Sequence, residues 1–242
     1  MSDASGRAVE IATGQTVRLP LSTTATMAGA VFPAAADAAA HLVPDGLEPL
    51  RVTPARTALL LLSVEYHRID RNQLTPYDEF GMFVPVVPAS ASGRLSALRG
   101  GLGGYTWQLP VTTEPARALG DIWGFPKTVA DIDLADDGRR RRTTVTVDGQ
   151  QVLSLDVKRP RAVPVSYGAR SYTDGGEAVQ AVPVRVDGTG SVAPGYNRGA
   201  VELGDHPWAD QLRVLGVESR PLAVCAFEGE FVIDEPERVK SA

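Results

Sequence analysis

Lys127 is the residue of this chain whose setting best suits a nucleophile. It is one of three lysines, with Lys158 and Lys240, among 24 Lys plus Arg residues, and it follows Trp123-Gly124-Phe125-Pro126. An amine attacks a carbonyl only when neutral, and an ordinary lysine with pKa ~10.4 is almost wholly protonated at pH 7. Burial among apolar groups disfavours the charged form and lowers that pKa by ~3–5 units in the strongest cases. Trp123 and Phe125 supply apolar surface, Pro126 fixes its own φ and restricts Phe125, and Gly124 lets the chain turn between the rings. The chemistry this suggests is imine formation with a ketone. Taken alone, the segment is more simply read as a lysine that buries its stem and extends its ammonium into water. Lys158, closing a strand-like run before Arg159-Pro160, and Lys240, two residues from the C-terminus, read as solvated.

Other candidate motifs carry less. Gly100-Gly101-Leu102-Gly103-Gly104 lacks a following Gly-Lys-Ser/Thr and reads as a flexible turn, not a phosphate cradle. Arg139 to Arg142, beside Asp136-Asp137-Gly138, reads as a solvated turn. His41, His67 and His206 share no ligand spacing, so no metal site is expected. Cys225, the single cysteine, lies in an apolar run and reads as core packing; it excludes an intrachain disulfide. No Gly-x-Ser-x-Gly elbow is present.

The elements that must position Lys127 read mainly as strands. Alternating runs cover Arg56 to Glu65, Met82 to Val87, Tyr105 to Val111, Val129 to Leu134, Thr143 to Val147, Val152 to Val157, Val179 to Val186 and Leu222 to Ile233. Asp148-Gly149 between two of them predicts a tight hairpin. Many short strands point to a barrel or sandwich. Helices are expected over 32–43, over 113–120 with Thr113 as cap and Pro115 in the first turn, and over 205–212. One domain over 1–242 is expected, with 1–15 loosely ordered.

Composition narrows the function classes. A net charge of −5 gives no field that would draw nucleic acid or an anionic membrane. No run of about 18 apolar residues and no secretion-like start are seen, so a cytoplasmic, non-membrane protein is expected. The apolar run Leu59-Leu60-Leu61-Leu62 exceeds what one small barrel easily covers, and it argues for a homo-oligomer.

From Gly104 to Lys127 the order of segments resembles the acetoacetate decarboxylase family: a Tyr-led strand at Tyr105, then Thr113-Glu114-Pro115-Ala116, then Gly120-Asp121-Ile122 and Phe125-Pro126-Lys127. Upstream, Tyr77-Asp78-Glu79-Phe80-Gly81 is similar to the family's Tyr-x-Glu-x-Gly, and Val43-Pro44-Asp45-Gly46-Leu47 to its Val-Pro-x-x-Leu. The resemblance covers residues 31 to 134 in order. It implies a mainly β (α+β) fold, a closed cone-like antiparallel β-barrel with a few peripheral helices, assembled into homo-oligomers. It implies an iminium on Lys127 with a small keto-acid or ketone substrate and no metal or organic cofactor, the amine being activated by desolvation or a neighbouring cation. Glu79 is then a proton relay or orienting residue. Tyr105, Trp123 and Phe125 become pocket-wall candidates, although core packing alone would explain Tyr105 or Trp123, and Asp121 becomes a supporting acid or a structural cap. Two positions depart from the family. Thr128 stands where many members have a second lysine, and Ala25 where an arginine receives the carboxylate, leaving Arg18, Arg56 or Arg68 as substitutes. Three readings stay open: a decarboxylase of a small β-keto acid such as acetoacetate, a Schiff-base aldolase or dehydratase on an α-keto acid, and a non-catalytic small-molecule-binding barrel.

Overall fold

The computed structural model describes residues 6–70, 74–89, 102–176, 178–217 and 219–239. Along these the chain forms β1 (Arg7–Glu10), β2 (Thr16–Leu19), β3 (Leu21–Ala35), α1 (Ala36–Ala40), β4 (Leu47–Pro49), β5 (Arg56–Ile69), β6 (Asp78–Pro88), β7 (Leu102–Val111), α2 (Glu114–Gly120), β8 (Lys127–Val129), β9 (Asp131–Asp136), β10 (Arg140–Val147), β11 (Gln150–Lys158), β12 (Val163–Asp174), β13 (Val179–Pro194), β14 (Gly199–Leu203), α3 (Pro207–Val214), β15 (Ala223–Ile233) and β16 (Glu237–Arg238). Seven strands close a barrel in the order β6-β5-β3-β15-β13-β12-β7, sealed by pairing of β7 back onto β6. The expected antiparallel barrel needs one correction: β7 and β12 run parallel. A ring with an odd number of strands cannot alternate direction all the way round, so one parallel seam is unavoidable.

Strand period two sorts the side chains. On β5, Leu59 and Leu61 face outward and are fully buried, while Leu60 and Leu62 face the lumen. Outward residues of β3, β5 and β6, among them Phe32, Leu59 and Met82, pack against Val145, Leu153 and Leu155 of a four-stranded sheet ordered β14-β11-β10-β9. Both faces of the four-leucine run are thus used within one chain, and that run gives no support to oligomerisation.

Several local expectations hold. Asp148 and Gly149 both have positive φ, at 50° and 75°, as the hairpin turn demands. The Thr113 hydroxyl accepts a 3.3 Å hydrogen bond from the Ala116 amide at the start of α2. Others fail. The helix expected over 32–43 shrinks to α1, because Phe32 to Ala35 complete β3 by pairing with Leu59 to Arg56; a short Ala-rich run cannot nucleate against such a ladder. The strand expected over 129–134 breaks at Ala130, where the chain leaves the barrel for the second sheet. Arg139 to Arg142 is no solvated turn: Arg141 lies on β10 and is 2% exposed. Of the segment expected to be loose, Arg7–Glu10 pairs with β2, and residues 1–5 lie outside the described residues. In the glycine-rich stretch, Leu102 to Gly104 begin β7, and Gly100 and Gly101 lie outside the described residues. Among the described residues no helix is long and apolar enough to cross a membrane.

Candidate active site

Three elements bring the reactive groups together. β8 pairs in parallel with the end of β7, Leu109 opposite Lys127, which sets the lysine in the barrel wall with its side chain in the lumen. Glu79 opens the lumen face of β6, and Tyr66 ends that of β5. Gly120, the last residue of α2, lies against the lysine stem: a Cβ there would stand 2.7 and 2.8 Å from its Cδ and Cγ. Gly124, at φ 67°, makes the turn that returns the chain to β8.

Lys127 Nζ lies 2.8 Å from Glu79 Oε2, with side-chain exposures of 5% and 8%. The ammonium donates to the Tyr77 hydroxyl at 3.3 Å, and the Tyr66 hydroxyl donates to Glu79 Oε1 at 3.3 Å. The two phenol rings pack at 4.7 Å. Burial by itself pulls the Lys127 pKa down, but the Glu79 carboxylate outweighs it, helped by Tyr77, and the amine is held above the ordinary lysine range. The expected desolvation is present, but Glu79 opposes it, so the aromatic wall by itself does not make this amine neutral. Desolvation, opposed by the Lys127 charge and reinforced by Glu79, pushes the Tyr77 phenol up to about 12. Desolvation first, and then Glu79, raise Tyr66 well above its usual value. Both phenols are therefore neutral donors at pH 7.

These groups stand at one end of a cavity of about 380 Å³ inside the barrel. Leu119, Trp123 and Phe125 form the wall beside Lys127. Trp123 is 1% exposed and anchored at both ends: its indole N–H donates to the Asp234 carbonyl at 2.8 Å, and its own carbonyl accepts from the Thr173 hydroxyl at 2.9 Å. Family comparison agrees with this architecture: the acetoacetate decarboxylase family model matches residues 9–241. The chain belongs to the acetoacetate decarboxylase family. A search of curated proteins returned no match. Among solved structures, the enduracididine biosynthesis enzyme MppR in complex with pyruvate is similar at 15% identity and TM-score 0.66, covering 91% of this chain and 90% of that one. An acetoacetate decarboxylase is similar at 16% identity and TM-score 0.64, covering 92% and 90%. The acetoacetate decarboxylase from Legionella pneumophila is similar at 16% and 0.64, covering 91% and 87%. At such identities these likenesses speak for the shared fold.

Within this acetoacetate decarboxylase-family barrel, Lys127, Glu79, Trp123 and Phe125 line one cavity, and the other expected residues do not. Tyr105 packs on the outer core, opposite Val84, because the β6–β7 register shifts between Met82 and Phe83 and reverses which side chains face in. Asp121 is exposed and faces Arg117 at 3.7 Å, where it caps α2. Arg18 is exposed on β2, Arg56 is exposed at the start of β5, and Arg68 is half-buried outside the lining. Ala25 is buried in register with Tyr66, and Thr128 pairs with Pro110. Among the described residues, the arginine that does line the cavity is Arg170. It pairs with Gly103, six residues along β7 from Leu109, roughly 20 Å of strand from the lysine. Tyr77, read only as part of a motif, was missed as a site residue, and so was Tyr66. Its signal was positional: it shares the inward parity of Leu60, Leu62 and Val64, so a phenol closes an otherwise apolar face. Burial pushes the Cys225 thiol up to about 11, as suits packing.

Proposed function

We propose that this protein is a Schiff-base carbon–carbon lyase that decarboxylates a β-keto acid through an iminium on Lys127, working as a homo-oligomer. The observation that carries this reading is the buried Lys127–Glu79 pair at 2.8 Å, at the end of an apolar lumen. Glu79 takes one proton from the ammonium, and the free amine attacks the substrate carbonyl carbon. Glu79 then returns that proton to the carbinolamine oxygen, which leaves as water with a second proton from nitrogen, giving the iminium. The bond to the carboxylate breaks, its electron pair enters the iminium, and carbon dioxide departs. The pair of opposite charges becomes a neutral enamine, a change that an apolar lumen favours. A proton taken up from solvent adds to the enamine carbon, and water then hydrolyses the iminium, releasing the ketone and restoring the ammonium. The iminium is the electron sink, so this sequence calls for no cofactor.

A second reading, an aldolase or dehydratase on an α-keto acid, is supported by the buried Tyr77 phenol. Tyr77, kept protonated beside Lys127, is suited to donate a hydrogen bond to a carboxylate attached directly to the reacting carbonyl, while Tyr66, whose own proton goes to Glu79, holds that glutamate beside the amine. A fold relative bound to pyruvate fits the same reading. The test is borohydride reduction with a panel of keto acids, followed by mass analysis of the peptides. The expected result is a ligand adduct on Lys127 and carbon dioxide from β-keto acids. Adducts with pyruvate alone, without carbon dioxide from any β-keto acid, would favour the second reading. Adducts only on Lys158 or Lys240 would remove Lys127 from its role.

A further inference from the structure

We infer, building on the Schiff-base reading above, that the natural substrate is a β-keto acid carrying a long apolar group, an alkyl chain well beyond the four carbons of acetoacetate or an arylalkyl equivalent. The cavity of about 380 Å³ lies within the ~300–1,000 Å³ of pockets that enclose drug-sized ligands. A four-carbon acid bound at Lys127 would occupy only its catalytic end. Beyond Glu79 most lining positions are apolar, among them Leu62 and Leu60 on β5, Phe83, Pro85 and Val87 on β6, and Val31 on β3, with Tyr167, Arg170 and Ser171 of β12 as the polar side chains among the described residues. This lining follows the strands from the level of Lys127, opposite Leu109, as far as Gly104, five residues or roughly 17 Å along β7.

Two features bear on what the far part of the lumen can hold. A Cβ on Gly104 would make ordinary contact with Phe83 Cβ at 3.4 Å, so the position tolerates a side chain, and anything larger would project into the cavity. Among the described residues the charged side chains on the lining are Glu79, Lys127 and Arg170, and Glu79 and Lys127 lie 2.8 Å apart. Arg170 stands too far along the barrel to hold the carboxylate of a small acid whose carbonyl is on Lys127. Binding must therefore come mainly from apolar burial, which a short acid cannot supply. In a β-keto acid the chain extends from the carbonyl on the side opposite the carboxylate, so it can run down the lumen while the carboxylate stays in the apolar space by the lysine.

The experiment uses the whole protein and a series of straight-chain β-keto acids from four to twelve carbons, with initial rates of carbon dioxide release and, in parallel, borohydride adducts on Lys127. The half-saturating concentration is expected to fall about fourfold per added methylene until the chain fills the cavity. Gly104→Leu is expected to flatten that dependence for the longer members. If adducts form on Lys127 with every member and half-saturation is independent of length, or is best for acetoacetate, the inference is overturned while the Schiff-base reading stands. If the slope survives Gly104→Leu in a protein with unchanged circular dichroism, the lumen is not where the chain lies and the inference is likewise overturned. If no member yields a Lys127 adduct or carbon dioxide, the Schiff-base reading itself fails, and the inference with it.

Discussion

A buried ammonium held by a buried carboxylate is a poor nucleophile until its proton moves, so at Lys127 the charge of Glu79 decides more than the aromatic wall does. Glu79→Gln removes the anion and leaves desolvation as the main influence on the amine, which lowers its pKa. The pH at which borohydride trapping sets in is therefore expected to move to lower values in Glu79→Gln. Turnover is expected to fall ~10²–10⁴-fold, because the proton relay is lost. Trapping rates against pH, beside steady-state rates, check both halves. An unchanged onset would show that Glu79 does not set the protonation of Lys127. The lysine was legible in the sequence from its scarcity and its Phe125-Pro126 setting. Its protonation state was not, because Glu79 lies 48 positions upstream and nothing local reveals that the two side chains meet.

At the scale of elements, α2 and β8 act as a clamp on the lysine stem. Thr113 starts the helix, Gly120 ends it against Lys127, and the turn at Gly124 returns the chain beside β7. Gly120→Ala would put a methyl group under 3.0 Å from the stem, so either the lysine or the end of the helix must shift. The trapping rate at Lys127 is expected to drop by ~10²-fold, the typical consequence of displacing a reacting group by about 1 Å. Urea unfolding and circular dichroism are expected to change little, since Gly120 has helical backbone and no positive φ. A rate within twofold of the parent would show that the stem adapts. The helix cap and the hairpin turn were readable because their causes lie within a few residues. The true length of β3 was not, because its Ala-rich end is set by partners on β5.

On the scale of the whole molecule, the second sheet is joined to the barrel by one buried guanidinium as well as by packing. Arg141 on β10 donates to Asp136 on β9 at 2.7 Å, to Glu65 on β5 at 2.6 Å and to the Thr26 carbonyl on β3 at 3.1 Å, and Arg159 also engages Asp136. Arg141→Ala is expected to cost roughly 2–3 kcal/mol in urea unfolding. That is less than the ~3–5 of a fully buried pair, because Glu65 and Asp136 keep 39% and 23% of their side chains exposed. A loss below ~0.5 kcal/mol would place the attachment in apolar packing alone. The proposed self-association needs a different basis from the four-leucine run. Val163 and Val192, on the paired strands β12 and β13, are 56% and 77% exposed, and Tyr167 beside them is 52% exposed. Light scattering at micromolar concentration is expected to show an oligomer that Val192→Glu weakens. A monodisperse monomer would remove the assembly from the proposal.

The sequence by itself determined the β-rich class, the tight hairpin at Asp148-Gly149 and the cap at Thr113, and it singled out Lys127 and Glu79 as candidates for one pocket. Each of these rests on a local pattern or on the order of motifs along the chain. Tertiary structure alone decided which side chains face the lumen. In a strand, a shift of one residue exchanges the two faces. The irregularity between Met82 and Phe83 sends Tyr105 to the outer core, while strand parity brings Tyr66 to the lysine. Nor could local pattern show that Arg141, in a run of four arginines, is the one drawn inward. Its burial follows from partners on β3, β5 and β9, which meet only when the second sheet closes on the barrel.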